Sequence, residues 1–135
     1  MKNFLLSLIL TIILTQLSFA NENKTKIDVL YFHATIRCHA CLTIEEYTRS
    51  IVNTRYQKEL QDSTITIQSI DFLEEGNEHF QDDYQFDTQT LILSKKVDGK
   101  EVKWKNLTEI WDHYSDFSKF EKYITEEINK FLKEL

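Results

Sequence analysis

The chain has 135 residues, with 16 Lys and Arg against 22 Asp and Glu, a net charge of −6, two cysteines and no proline. That acidic balance excludes a nucleic-acid partner held through phosphates, which needs a basic surface. No internal repeat, low-complexity tract or Gly-rich linker divides the chain, so beyond its leader it reads as one domain with one ordinary core.

Residues 1–20 read as a secretory signal. Lys2 opens a short polar start, an apolar stretch runs from Phe4 to Leu17, and Ser18-Phe19-Ala20 puts small residues where a signal peptidase inspects the chain. Cleavage is expected after Ala20. The apolar stretch is shorter than the roughly 20 residues that span a bilayer comfortably, which leaves an uncleaved anchor as the alternative. No cysteine follows the signal, so a lipid anchor there is not expected. The mature chain, residues 21–135, carries 15 basic and 22 acidic residues, a balance of −7. Its expected location is exported, periplasmic or otherwise extracytoplasmic, where disulfides persist. No membrane span is expected once the signal is removed.

Asn21 to Lys26 is polar. Lys26-Ile27-Asp28-Val29-Leu30-Tyr31-Phe32-His33-Ala34 is a mostly apolar run of strand length, as expected for a strand covered on both faces. Cys38-His39-Ala40-Cys41 follows at once and holds all the cysteine in the chain. On the first turn of a helix this spacing brings two thiols within bonding reach. The first also faces the unpaired backbone N–H groups and the positive end of the helix dipole, which stabilise a thiolate. Other uses of the pair are weaker. A disulfide closing so short a loop removes little entropy from the unfolded chain. A structural zinc site usually needs a second such pair, and haem attachment needs His where Leu42 stands.

From His39 to about Leu60 the chain reads as helix, with Cys41, Ile44, Tyr47, Ile51 and Tyr56 near one face. Thr64 to Phe72 opens with polar and apolar alternation and predicts a second strand. A short helix is expected between Glu75 or Asn77 and Tyr84. Thr88–Lys95 and Glu101–Lys105 flank Val97-Asp98-Gly99-Lys100, and Asp-Gly between strand runs signals an antiparallel hairpin. Lys95-Lys96 reads as solvated strand-end charge. The tail repeats Ile110, Tyr114, Phe117, Phe120, Ile124, Ile128, Phe131 and Leu135 at helical spacing. Ser118-Lys119-Phe120-Glu121 fits a capping box, which predicts a short helix followed by a longer one from near Ser118.

The order strand, Cys-x-x-Cys, helix, strand, helix, antiparallel hairpin, helix resembles the thioredoxin family. The most specific matches are Val29 through Cys41 and Gln89-Thr90-Leu91-Ile92-Leu93-Ser94-Lys95-Lys96-Val97-Asp98-Gly99. The resemblance implies an α/β, thioredoxin-like fold: a central mixed sheet of about four strands flanked by helices in a three-layer sandwich. It also implies a thiol-disulfide oxidoreductase in which Cys38 attacks and Cys41 resolves. No cofactor is implied. The partners implied are a protein or small-molecule disulfide and a second redox partner that recycles the dithiol.

Three positions depart from the family's pattern. Gln89 stands where the family has a cis-proline that packs against the dithiol. A cis bond there without proline costs about 3 kcal/mol, so Thr88-Gln89 is expected to be trans or its loop re-formed. Arg37 replaces the aromatic that commonly precedes the first cysteine, and Phe32 occupies the position of a buried acid. Arg37, Cys38's neighbour His39, Gln89 and Thr90 are therefore candidates for tuning or substrate contact. Glu45, one turn beyond Cys41, is a candidate proton route, against the plainer reading of an exposed glutamate making helix pairs. His33 reads best as a core-edge histidine satisfied by a backbone carbonyl. Two other functions stay open: a metal-binding or metallochaperone module holding Cu(I) or Zn with Cys38, Cys41, His33 and His39, and an interaction domain whose dithiol is incidental.

Overall fold

The computed structural model describes residues 24–134. The expected signal segment lies outside the described residues. Strand β1 (Thr25–His33) runs parallel to β2 (Ile65–Asp71) on one side and antiparallel to β3 (Thr90–Val97) on the other. Strand β4 (Lys100–Asn106) adds antiparallel to β3, giving a four-stranded mixed sheet in the order β2-β1-β3-β4. Five helices are described: α1 (His39–Arg55), α2 (Gln57–Gln61), α3 (His79–Asp83), α4 (Ile110–His113) and α5 (Phe117–Lys133). The chain is thus a mixed α/β protein, as the coarse reading of its sequence expects.

Because β1 is interior to the sheet, its alternating side chains feed two cores. Ile27, Val29 and Tyr31 pack with Ile44, Ile51 and Val52 of α1 and with Phe120, Ile124, Ile128 and Phe131 of α5. Leu30 and Phe32 point the other way, into Phe72, Tyr84, Phe86 and Ile92, with Phe80 of α3 and Trp104 of β4 closing the cluster. Phe32 is the hub of this second core, its ring centroid 4.9 Å from Phe86 and 5.1 Å from Phe80. The hairpin between β3 and β4 turns at Asp98 (φ 51°) and Gly99 (φ 79°). Left-handed conformation at both residues is what a two-residue Asp-Gly hairpin requires.

Three details differ from the sequence reading. The helix predicted to about Leu60 breaks at Tyr56, which leaves helical conformation (φ −125°) and separates α1 from α2. No proline or glycine causes this. The Tyr56 ring is drawn into the main core, and its hydroxyl donates to the Asn129 carboxamide oxygen of α5 at 3.1 Å. Helix α5 begins earlier than the Ser118 box predicts, because the Asp116 carboxylate accepts from the Lys119 N–H and caps it first. Lys95 is buried, not solvated. Its ammonium donates to the Glu134 carbonyl, while Lys96 pairs with Asp28.

Asp28 is the most unusual residue of β1, a carboxylate with 2% of its side chain exposed in the middle of the sheet. Lys26 (3.0 Å), Lys96 (2.8 Å) and the Thr66 hydroxyl from the neighbouring strand surround it. Burial pushes its carboxyl up, but Lys96, Thr66 and Lys26 together outweigh burial and hold it below the ordinary value of 3.8. A carboxyl whose folded value is depressed stabilises the fold above its unfolded value and loses that contribution as pH falls through the folded one. Asp28→Asn is therefore expected to lower stability at neutral pH by about 1–3 kcal/mol. The difference from the parent should shrink as pH falls from neutral through the folded value of Asp28, which lies below 3.8. Urea midpoints measured from neutral to acid pH check this, and a gap that does not narrow contradicts it.

Candidate functional site

The register of the sheet decides where the dithiol sits. His33 pairs with Asp71, and Phe32 with Thr90. The end of β1, the end of β2 and the start of β3 therefore meet at one margin of the sheet. The chain leaves β1 through residues 34–37 and enters α1 with Cys38 as N-cap, in extended conformation (φ −79°, ψ 165°). Cys38 and Cys41 are joined as a disulfide with their Cα atoms 5.1 Å apart.

Each sulfur also serves the backbone. The Cys41 N–H donates to the Cys38 Sγ and the Cys38 N–H to the Cys41 Sγ, both at 3.2 Å. This is the reciprocal pattern of a capping box with sulfur in place of oxygen, so the motif that carries the chemistry also starts the helix. The two sulfurs differ in access. Cys38 is exposed, whereas Cys41 is fully buried in the face that α1 turns to the core. A molecule arriving from solvent meets only Cys38.

Arg37 turns from the dithiol toward the flank of α1 and forms an ion pair with Glu45. Glu45 takes a second guanidinium, Arg49, at 2.9 Å. Burial pushes the Glu45 carboxyl up, and hydrogen bonding from Arg49 and Arg37 more than reverses it, so the carboxyl lies below its ordinary value and stays ionised. Glu45 is thus a largely buried anion between two cations. Of the two sequence readings it is closer to the helix-pair one, with Arg37 as an added partner from the loop. The Arg37 guanidinium also lies 5.9 Å from the centroid of the Tyr31 ring, within cation–π range.

Tyr31 is a residue of this site that sequence reasoning missed. Its hydroxyl donates to the Cys41 carbonyl at 2.8 Å, tying the first turn of α1 to the central strand. Burial pushes the phenol up to about 12 against the opposing pull of Arg37, so it remains a donor at neutral pH. In sequence Tyr31 reads only as an apolar strand position, because its partner is fixed by how α1 lies on β1. The residues flanking the strand gave no signal.

The other candidates sit around this margin in different states. His39 is exposed, and its carbonyl accepts from the Thr43 hydroxyl at 3.0 Å. His33 has its Nδ1 3.0 Å from the Ala34 carbonyl, the backbone partner expected of a core-edge histidine. Thr90 is buried and donates to the Asn106 carboxamide oxygen. Among the described residues no peptide bond is cis, so Thr88-Gln89 is trans. The Gln89 carbonyl accepts from the Trp111 indole at 3.1 Å, which pins the loop entering β3, while its side-chain oxygen is buried without a partner. No three His, Cys, Asp or Glu side chains among the described residues are grouped to hold a metal, so the metal reading is left with the two bonded sulfurs. No described helix is long and apolar enough to cross a membrane.

Comparison with known proteins adds little to this geometry. No family model matches the chain, and no curated protein matches it. A solved structure described as "Structure of a malarial protein" is similar at 20% identity, covering 75% of this chain and 96% of that one, with a TM-score of 0.44.

Two substitutions test the support around the sulfurs. Tyr31→Phe leaves the Cys41 carbonyl without its buried donor and is expected to lower stability by about 1–2 kcal/mol, read from the urea midpoint. Glu45→Gln removes the carboxylate that neutralises Arg37, the residue before Cys38. The pH profile of Cys38 alkylation in the reduced protein should then move to lower pH. An unmoved profile means that the Arg37 charge is not felt at the sulfur.

Proposed function

We propose that this protein is an exported thiol-disulfide oxidoreductase of thioredoxin-like organisation, with Cys38 as nucleophile and Cys41 as resolving thiol. The observation that carries the proposal is the asymmetry of the pair: two sulfurs within bonding distance, one exposed at the cap of α1 and the other buried. An exchange enzyme needs that division. The attacking sulfur must reach a substrate, and the resolving one must be reached only by its mate.

In the reduced protein the Cys38 thiolate attacks one sulfur of a substrate disulfide. The Cys38–substrate bond forms as the substrate bond breaks, and the departing thiolate takes a proton. Cys41 then loses its proton and attacks the Cys38 Sγ, restoring the intramolecular disulfide and releasing the second substrate thiol. Two electrons pass from protein to substrate, so an external dithiol must recycle the oxidised form. The cap contributes directly, because backbone N–H groups and the helix dipole at Cys38 favour its anionic form.

The chain order described above supports the family resemblance: central strand, dithiol at a helix start, parallel β2, short α3, antiparallel hairpin, closing helix. The departures stand beside it. Gln89 occupies the place of the proline and Phe32 that of the acid, so substrate docking and proton removal from Cys41 use groups of this chain's own. The trans Thr88-Gln89 bond with its loop pinned by Trp111 presents a different backbone to a visitor than the family pattern implies.

Trapping tests the mechanism. Cys41→Ser is expected to accumulate mixed disulfides with substrate proteins of the exported compartment, released by reductant and visible on non-reducing gels. Cys38→Ser should form none. Absence of trapped species in Cys41→Ser, together with no reduction of the small neutral bis(2-hydroxyethyl) disulfide by the reduced parent, would overturn the proposal. Export is checked separately, by mass spectrometry of the secreted protein, whose first residue should be Asn21.

A further inference from the structure

Of the five large apolar side chains left exposed among the described residues, Ile36 (88% exposed) and Leu42 (48%) flank Cys38 in the chain, and Leu73 (55%) follows the end of β2, where Asp71 pairs with His33. The fold brings them together by specific bonds. The Asp71 carboxylate at the end of β2 accepts from the Leu73 N–H at 2.9 Å, and the Phe72 N–H donates to the His33 carbonyl at 3.0 Å, which sets the exit of β2 beside the exit of β1 and the loop that carries Ile36. On the other side, Glu45 ties Arg37 of that loop to the α1 face that presents Leu42, Glu45, Glu46 and Arg49 around a hollow of about 360 Å³. Exposed apolar side chains from three separate segments therefore stand at the margin of the sheet that carries the exposed sulfur.

Three carboxylates on the segments that carry Leu42 and Leu73 are free. Glu46, Glu74 and Glu75 are exposed and make no ion pair among the described residues, whereas Arg37 and Arg49, the nearby cations, are both spent on Glu45. The charge of these side chains is thus net negative, beside exposed apolar groups.

We propose, resting on the oxidoreductase reading above, that this surface selects its substrate: a disulfide-bonded cysteine in a polypeptide with apolar residues beside it and Lys or Arg further out. Apolar contacts with Ile36, Leu42 and Leu73 hold the segment over the Cys38 Sγ. The free carboxylates steer basic flanks toward it and repel acidic ones. The chemistry is the exchange already written, with the Cys38–peptide disulfide as intermediate and the peptide thiol as product.

The test uses two short peptides, each with one cysteine held as its mixed disulfide with 2-mercaptoethanol and flanked by leucine. One has Lys at the outer positions, the other Glu. Rate constants with the reduced protein are divided by the rate on bis(2-hydroxyethyl) disulfide. The Lys peptide is expected to react about tenfold faster than the Glu peptide at low salt, with the ratio shrinking as salt is added. In Glu74→Lys/Glu75→Lys the ratio should fall to one or invert, and Ile36→Ser should slow both peptides relative to the small disulfide. Equal rates for the two peptides, or a ratio unmoved by the charge reversal, would sink the proposal.

If no disulfide reacts at all, the oxidoreductase reading fails, and the surface is judged by binding. Serine versions of the peptides are titrated into the oxidised protein while amide shifts at Ile36, Leu42 and Leu73 are followed by NMR. Stronger shifts with the Lys peptide support the surface, and no shifts overturn it.

Discussion

The rest of the structure depends on β1 being covered on both faces and both edges. An interior strand with apolar side chains on each face fixes a core above and below it, and pairing on both sides leaves no freedom of register. The end of that strand then fixes where the chain emerges, and α1 must start within a few residues. The position of Cys38 at the helix cap is a consequence of β1's burial as much as of the two cysteines. Tyr31 shows the dependence most directly, since a hydroxyl carried by the strand holds the carbonyl of the buried cysteine.

Much of this architecture was legible because local chemistry and global fold agree. The apolar run of β1, the alternation of β2 and the Asp98-Gly99 turn each require one conformation, and each adopts it. The asymmetry of the dithiol was legible too, since Cys41 lies on the apolar face of α1 and Cys38 precedes that face. What could not be read depends on partners far apart in sequence. Tyr56 ends α1 because its ring and hydroxyl are claimed by α5, more than sixty positions on. Asp116 and Ser118 are both good cap residues, and only the path of the chain from α4 decides between them. Lys95 looks like a surface residue until the end of α5 offers a carbonyl to an ammonium whose stem lies in the core.

Charge placement follows a similar division. Among the described residues the sheet interior holds one carboxylate, Asp28, with cations and a hydroxyl around it, and the site margin holds another, Glu45, between two guanidinium groups. In each case a largely buried anion is compensated by long cationic side chains that reach it from a more exposed origin. Such pairs gain little over an apolar replacement of the same shape, but losing one partner strands a desolvated charge, so they specify arrangement more than they add stability. At Glu45 the arrangement specified is that of Arg37, which is kept along the flank of α1.

The use of sulfur as a helix cap has a thermodynamic consequence. A thiolate accepts a hydrogen bond more strongly than a neutral thiol, so in the reduced protein ionisation of Cys38 and ordering of the first turn of α1 favour one another. By reciprocity, anything that tightens that turn makes the sulfur a readier anion, and anything that loosens it returns the proton. Local helix order and nucleophile strength are two readouts of a single linked equilibrium.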